Sequence, residues 1–263
     1  MKSFVLITGA AGGVGKAFAA ECAARGWDLL LSDLPGSPLE ALAEGMRRMY
    51  AVQVEMLACD LTDADARAAF WREVERRGAK FWMLVNVAGM EFEGPFHTRS
   101  LDELRTITRL NVETVVEMTH AVLGNRDPVQ TLRIINISSL AGFNPMPFKA
   151  VYAASKRFII NFSLALHKEL RVQNVTVTVV CPAAMPTSPR SIRGLTKLGG
   201  WGQLSLSNPN RVAAVSIKYA LTGRPLYIPG IFNRAVHLFS RLLPQPWVSW
   251  WIWRHWRGGY TSG

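Results

Sequence analysis

The feature that most limits the fold is an alternation. Six short apolar runs, SFVLIT (3–8), DLLLSD (28–33), VQVEMLACD (52–60), FWMLVNVAG (81–89), LRIINISS (132–139) and VTVTVVCP (175–182), are separated by segments of helical period. The runs are near-continuous in Val, Ile and Leu. Strands of that kind are covered on both faces, which belongs to parallel sheets with helical crossovers. The intervening helices are expected from Gly13 to Arg25, over 38–50, over 63–77 behind an aspartate cap, from Leu101 to Leu123 and over 151–173. Right-handed crossovers then give an α/β fold, a single-domain Rossmann-type doubly wound parallel sheet. With 263 residues, 49% of them hydrophobic, the chain has enough apolar material for one large core.

The rhythm breaks at 183–208, which is rich in Gly, Ser and Pro and long for a compact domain, so it is expected to be a lid or binding loop. A helix near 209–222 and a short strand, PLYIPG (225–230), follow. The dinucleotide-binding and catalytic domain is thus placed at 1–230, with an aromatic, basic extension at 231–263. The N-terminal residues MKSFVLITGA reach strand pattern at once, with no secretory leader, and no stretch approaches the roughly 18 apolar residues of a spanning helix. Cys22, Cys59 and Cys181 lie far apart, which fits reduced, buried thiols and a cytoplasmic setting. The five histidines have no ligand spacing, so no metal site is expected.

Charge is divided unevenly. The net charge is +11, yet residues 1–169 hold 19 basic and 19 acidic residues, while 170–263 hold 11 basic residues and no acid. A field of one sign attracts anionic partners: a phosphorylated or carboxylated substrate, an acidic carrier protein, anionic lipid or nucleic acid.

Three motifs carry chemistry. TGAAGGVG (8–15) lies between the first strand and first helix, where Gly9, Gly13 and Gly15 permit a tight turn and the helix start offers N–H groups to a pyrophosphate. Asp33 ends the second strand, 24 positions after Gly9; before LPGSP it suits a helix cap or a carboxylate that can accept from both adenosine ribose hydroxyls and would repel a 2′-phosphate. That favours NAD over NADP, and no basic residue stands at Gly12 to hold the extra phosphate. Asp60, ending the third strand, suits either the adenine amino group or a helix cap. In YAASK, Tyr152 and Lys156 are spaced i, i+4 and share a helix face, where an ammonium is expected to lower the phenol's pKa. Ser139 ends the fifth strand at the edge where such folds bind ligands. Asn111, within LNVETVV, is a polar residue in a helical stretch and could equally be a satisfied buried amide.

Together these residues resemble the short-chain dehydrogenase/reductase family from Lys2 to about Gly230. The elements stand in the family's order: TGAAGGVG, Asp33, CDLTD, NVAG (86–89), LN ending at Asn111, INISS ending at Ser139, and YAASK. The resemblance implies hydride transfer between nicotinamide and a secondary alcohol or ketone, with Tyr152 as acid/base. Lys156 would hold the nicotinamide ribose, Ser139 the substrate oxygen, and Asn111 a water in a relay toward Lys156. The implied cofactor set is Gly9, Gly12, Gly13, Val14, Gly15, Asp33, Asp60, Leu61, Asn86, Ala88, Gly89, Tyr152, Lys156, Pro182 and Thr187. Ala183 replaces the family's usual glycine, and Val87 its second asparagine. The family also implies a homodimer or homotetramer through the helices near 101–123 and 151–173. Leu195, Leu198, Trp201, Leu204 and Leu206 in the lid point to an acyl-chain or steroid-like substrate. A catalytically silent cofactor sensor or scaffold on the same fold is the alternative, and the intact tetrad Asn111, Ser139, Tyr152, Lys156 argues against it.

The last element is WVSWWIWRHWR (247–257), with five of the nine tryptophans. Nucleic-acid binding is not expected, because stacking platforms need a grooved basic scaffold. Trp247, Trp250 and Trp251 share one helical side, whereas Trp253 and Trp256 point elsewhere. Phe232, Val236, Phe239 and Leu243 recur at helical spacing just before. Two readings stand: burial against the lid or a partner subunit, and peripheral contact with an anionic membrane.

Overall fold

A computed structural model describes residues 2–186 and 206–257. Strands β1 (Ser3–Thr8), β2 (Leu29–Ser32), β3 (Val54–Met56), β4 (Lys80–Asn86), β5 (Leu132–Ile137), β6 (Val175–Val180) and β7 (Leu226–Tyr227) form one sheet. Their order is β3-β2-β1-β4-β5-β6-β7, and every pairing is parallel. The connections are α1 (Gly13–Ala24), α2 (Leu39–Met49), α3 (Ala64–Arg76), α4 (Leu101–Thr108), α5 (Thr114–Gly124), α6 (Ala150–Glu169) and α7 (Pro209–Leu221). Two more helices, α8 (Ile231–Ser240) and α9 (Gln245–Trp256), follow the last strand.

The pleat explains the continuous apolar runs. Val5 and Ile7 of β1 pack with Phe18 and Cys22 of α1 and Ile217 of α7, while Phe4 and Leu6 pack with Phe70 of α3 and Met118 of α5. Successive side chains point to opposite faces, and both faces are roofed by helices. Strand order reverses between β1 and β4, so the loops after them open a crevice at the carboxyl edge. Cys22, Cys59 and Cys181 are buried free thiols.

Several boundaries differ from the sequence reading. The third strand keeps only Val54–Met56 of 52–60, although Leu57 N–H and Cys59 N–H still donate to Leu31 O (3.0 Å) and Asp33 O (2.9 Å) beyond it. β4 likewise ends at Asn86. The helix expected from Leu101 to Leu123 is divided by one π turn, Arg109–Glu113. Such a turn inserts a residue into the ladder and redirects a side chain, and here it buries Asn111 completely. The cap of α3 is Asp63, whose Oδ1 accepts from Asp65 N–H (2.8 Å) and Ala66 N–H (3.3 Å).

Candidate active site

The nucleotide half begins at the turn after β1. Gly9 has φ +63°, and a Cβ there would lie 2.7 Å from Ala88 N. At Gly15 a Cβ would lie 2.1 Å from Gly9 O, so backbone meets backbone without room for any side chain. The first helical bond of α1 runs from Lys16 N–H to Gly12 O (2.8 Å), and no side chain caps the helix. The N–H groups of Gly13, Val14 and Gly15 therefore precede the ladder and face the crevice end of the dipole. Val14 turns its side chain against the core.

Asp33 stands at the end of β2, half-buried. Its Oδ2 accepts from Ala11 N–H (2.8 Å) and its Oδ1 from Leu34 N–H (2.7 Å), so the carboxylate also pins the glycine loop. Each oxygen retains a second lone pair for a hydroxyl. Asp60 caps no helix. Its Oδ1 accepts from both Thr62 N–H (2.9 Å) and Thr62 Oγ1 (2.7 Å), closing a local turn. Leu61 is buried, and its carbonyl is taken by Arg67 (2.7 Å) and Thr114 (2.6 Å).

The segment after β4 faces the same crevice. Thr8 Oγ1 accepts from Val87 N–H (3.2 Å) and Ala88 N–H (3.4 Å), tying the two loops together. Val87 packs on the core, which accounts for an apolar residue there. Asn86 lies deeper than expected of a cofactor contact. It is buried and donates to Asn136 Oδ1 (2.9 Å) and Thr119 Oγ1 (3.3 Å), holding β4 to β5 and α5. A Cβ on Gly89 would meet Asn111 Oδ1 at 3.1 Å and Lys156 Nζ at 3.3 Å. The missing side chain keeps a gap between these two polar groups, and together with the two forced glycines and the uncapped helix start it makes a cradle that suits a dinucleotide.

The four tetrad positions converge. Ser139 caps a short 3-10 turn, Leu140–Phe143, accepting from Ala141 N–H (3.2 Å). Tyr152 and Lys156 project from the first turns of α6, with Lys156 Nζ 5.7 Å from the Tyr152 ring centre. Lys156 is buried and donates to Ile137 O (3.1 Å), and burial pushes its ammonium down to about 8 despite the pull of Glu91. Asn111 Oδ1 accepts from Met90 N–H (3.0 Å), and its Nδ2 donates to Met90 O (2.9 Å) and Ser155 Oγ (3.0 Å). The Asn111 amide thus holds the 90 loop and α6 in place. Pro182 is buried and its carbonyl accepts from Leu140 N–H (2.9 Å). Ala183 follows without a helix or strand. Thr187 and most of the lid, including Leu195, Leu198, Trp201 and Leu204, lie outside the described residues.

One expectation is corrected. The Tyr152 phenol is raised, not lowered: burial is the main cause, Glu91 adds to it, and a hydrogen bond with Ser139 opposes both. Lys156 donates to Ile137 O and is itself weakened by burial, and it does not reverse this.

The sequence reading missed Lys149. It pairs with Glu91 (3.2 Å) and Glu93 (3.0 Å), and its Nζ lies 6.0 Å from the Tyr152 ring centre and 5.2 Å from that of Trp256. The available signal was the pair of acids in MEFEG directly after a strand end, with a lysine three residues before the tyrosine. A cleft of about 720 Å³ lies between the 142–147 loop, α6 and α9, lined by Phe143, Met146, Ala153, Arg157 and Ser249 among others.

The family model for short chain dehydrogenase matches residues 3–193. The chain is 31% identical over 192 residues to human 17-beta-hydroxysteroid dehydrogenase type 3, covering 72% of this chain and 61% of that one. It is 28% identical over 196 residues to the very-long-chain 3-oxoacyl-CoA reductase-A of Danio rerio, covering 72% and 60%. The chain thus spans about three-fifths of the length of these curated relatives. Among solved structures, a short-chain dehydrogenase from Sphingobium yanoikuyae in complex with NADPH superposes with a TM-score of 0.74 at 28% identity, over 92% of this chain and 93% of that one. Match, topology and convergent residues agree, and the chain belongs to the short-chain dehydrogenase/reductase family of oxidoreductases.

Proposed function

We propose that the protein interconverts a secondary alcohol and a ketone with NAD(H), using Tyr152 as general acid/base on a lipophilic or anionic substrate. The observation that carries this reading is the meeting of Tyr152, Ser139 and buried Lys156 beside the gap at Gly89. Bound nicotinamide would supply or accept the hydride. Everything else falls to the chain. The raised phenol stays protonated through neutral pH, so Tyr152 is ready to give its proton to a carbonyl oxygen as that oxygen gains charge. Ser139 donates to the same oxygen and orients it. Lys156, charged below about pH 8, holds ribose hydroxyls on the cradle side. Asn111 positions the 90 loop against α6. Thr187 and Pro182 would border the nicotinamide.

Asp33 supports NAD, because its carboxylate at the end of β2 opposes a 2′-phosphate. A lipophilic substrate agrees with relatives named for a steroid and a very-long-chain acyl-CoA. Self-association through α4, α5 and α6 belongs to the same reading: Phe158 on α6 is exposed and stacks on Phe162 (5.6 Å).

Tyr152→Phe tests the assignment. Turnover should fall by about 10²-fold or more, the usual scale of general acid–base catalysis, while NADH affinity stays near wild type in a fluorescence titration. Substantial residual turnover refutes the role of Tyr152.

A further inference from the structure

The two C-terminal helices are built inside out. On α8 the residues turned toward the body of the protein are polar. Asn233 is buried and donates to Pro229 O (2.8 Å), His237 stacks on Phe143 (3.8 Å), and buried Ser240 accepts from Asn144 Nδ2 (3.4 Å). On the opposite side Ile231, Ala235, Leu238, Phe239 and Leu242 face solvent, with Ile231 80%, Leu238 62% and Leu242 77% exposed. A helix serving a water-soluble surface places its apolar stripe the other way round.

The next helix continues the pattern. α9 turns Val248, Ser249, Ile252 and Trp256 inward at helical spacing, while Trp247, Trp250 and Trp251 stay more than half exposed. Seven large apolar side chains are more than half exposed between Ile231 and Trp251, against six in all the rest of the described chain. Concentration of this kind marks a contact surface. Its occupant is indicated by charge. By helical geometry Arg234 and Arg241 flank the apolar face of α8, and Arg254 lies over the Trp250 ring (5.6 Å). No acidic residue follows Glu169. A two-fold contact between copies would bring these arginines together with no carboxylate on either helix to offset them. Tryptophan and arginine around an apolar helix face match a lipid interface with anionic headgroups. Among the described residues no helix is long and apolar enough to cross a membrane.

We infer that α8 and α9 form a foot that seats the protein on an anionic lipid surface without crossing it. The inner side of the foot reaches the candidate site through Trp256 and Lys149. A lipophilic substrate would then arrive from the bilayer, a consequence that rests on the function proposed above, whereas lipid binding itself does not.

Co-sedimentation of the full chain with vesicles of phosphatidylcholine, alone or mixed with phosphatidylserine, tests the inference. The protein should pellet with mixed vesicles, less with neutral ones, and less as salt rises. Leu238→Glu and Leu242→Glu should each lower binding about tenfold or more, the scale of one leucine's burial, with circular dichroism and NADH affinity unchanged. Arg234→Gln with Arg241→Gln should remove the preference for phosphatidylserine. The inference is overturned if the full chain ignores both vesicle types, or if the glutamate variants bind as well as wild type. A dimer that dissociates on Leu238→Glu, in a protein that ignores vesicles, would overturn it too and assign the face to a second copy.

Discussion

Asp33 holds the glycine loop with one hydrogen bond, and in the function proposed above its charge opposes a 2′-phosphate. Asp33→Ala should therefore narrow the preference for NAD over NADP by about tenfold or more, the scale of one charge-assisted hydrogen bond. Ratios of kcat/KM for the two cofactors measure this, and a wild-type preference for NADPH would contradict the role. Lys156 sets a pH limit. Its ammonium, pushed down to about 8 by burial, is charged below that pH and lost above it, whereas the raised Tyr152 phenol keeps its proton throughout. Ketone reduction should be level through neutral pH and decline above about 8, and Lys156→Arg should shift that decline upward. Tyr152 and Lys156 were legible as a pair because i, i+4 spacing is local. The sign of the Tyr152 shift was not, since it depends on burial and on Glu91 from another loop. Lys149 was hidden for the same reason, as its partners Glu91, Glu93 and Trp256 come from separate parts of the chain.

At the scale of elements, the glycine turn has the least tolerance. A methyl at Gly15 would strike Gly9 O, and no flexible side chain is there to yield. Gly15→Ala should cost about 1–3 kcal/mol of stability by overpacking and abolish measurable NADH binding, checked by urea denaturation and fluorescence titration. Wild-type affinity would mean that the loop is not the pyrophosphate cradle. Strands and helices were readable because apolar periodicity follows directly from covering both faces of a sheet. Their ends were less so. The third strand shortens to Val54–Met56, and the π turn at Arg109–Glu113 carries Asn111, which bonds Met90 and Ser155. Neither partner is near Asn111 in sequence. Arg67, 1% exposed and bonded to Leu61 O and to Glu113 and Glu117, belongs to the same class of tertiary ties.

At the scale of the molecule, sheet order decides where chemistry is possible. The reversal between β1 and β4 brings the glycine turn, Asp33 and Gly89 to one edge, and β5 with α6 adds Ser139, Tyr152 and Lys156. The division of charge along the chain was visible in the sequence, but not that α8 would turn its apolar side outward, which needed the placement of Asn233, His237 and Ser240. The central claim is that this assembled edge is a working oxidoreductase and not a silent sensor of cofactor. It is tested most directly by the purified full chain with NAD(H) and NADP(H), assayed against a panel of secondary alcohols and ketones that includes steroids and 3-oxoacyl thioesters. The account predicts turnover of a lipophilic substrate with a higher kcat/KM for NADH than for NADPH. Binding of NADH with no turnover of any substrate would contradict it.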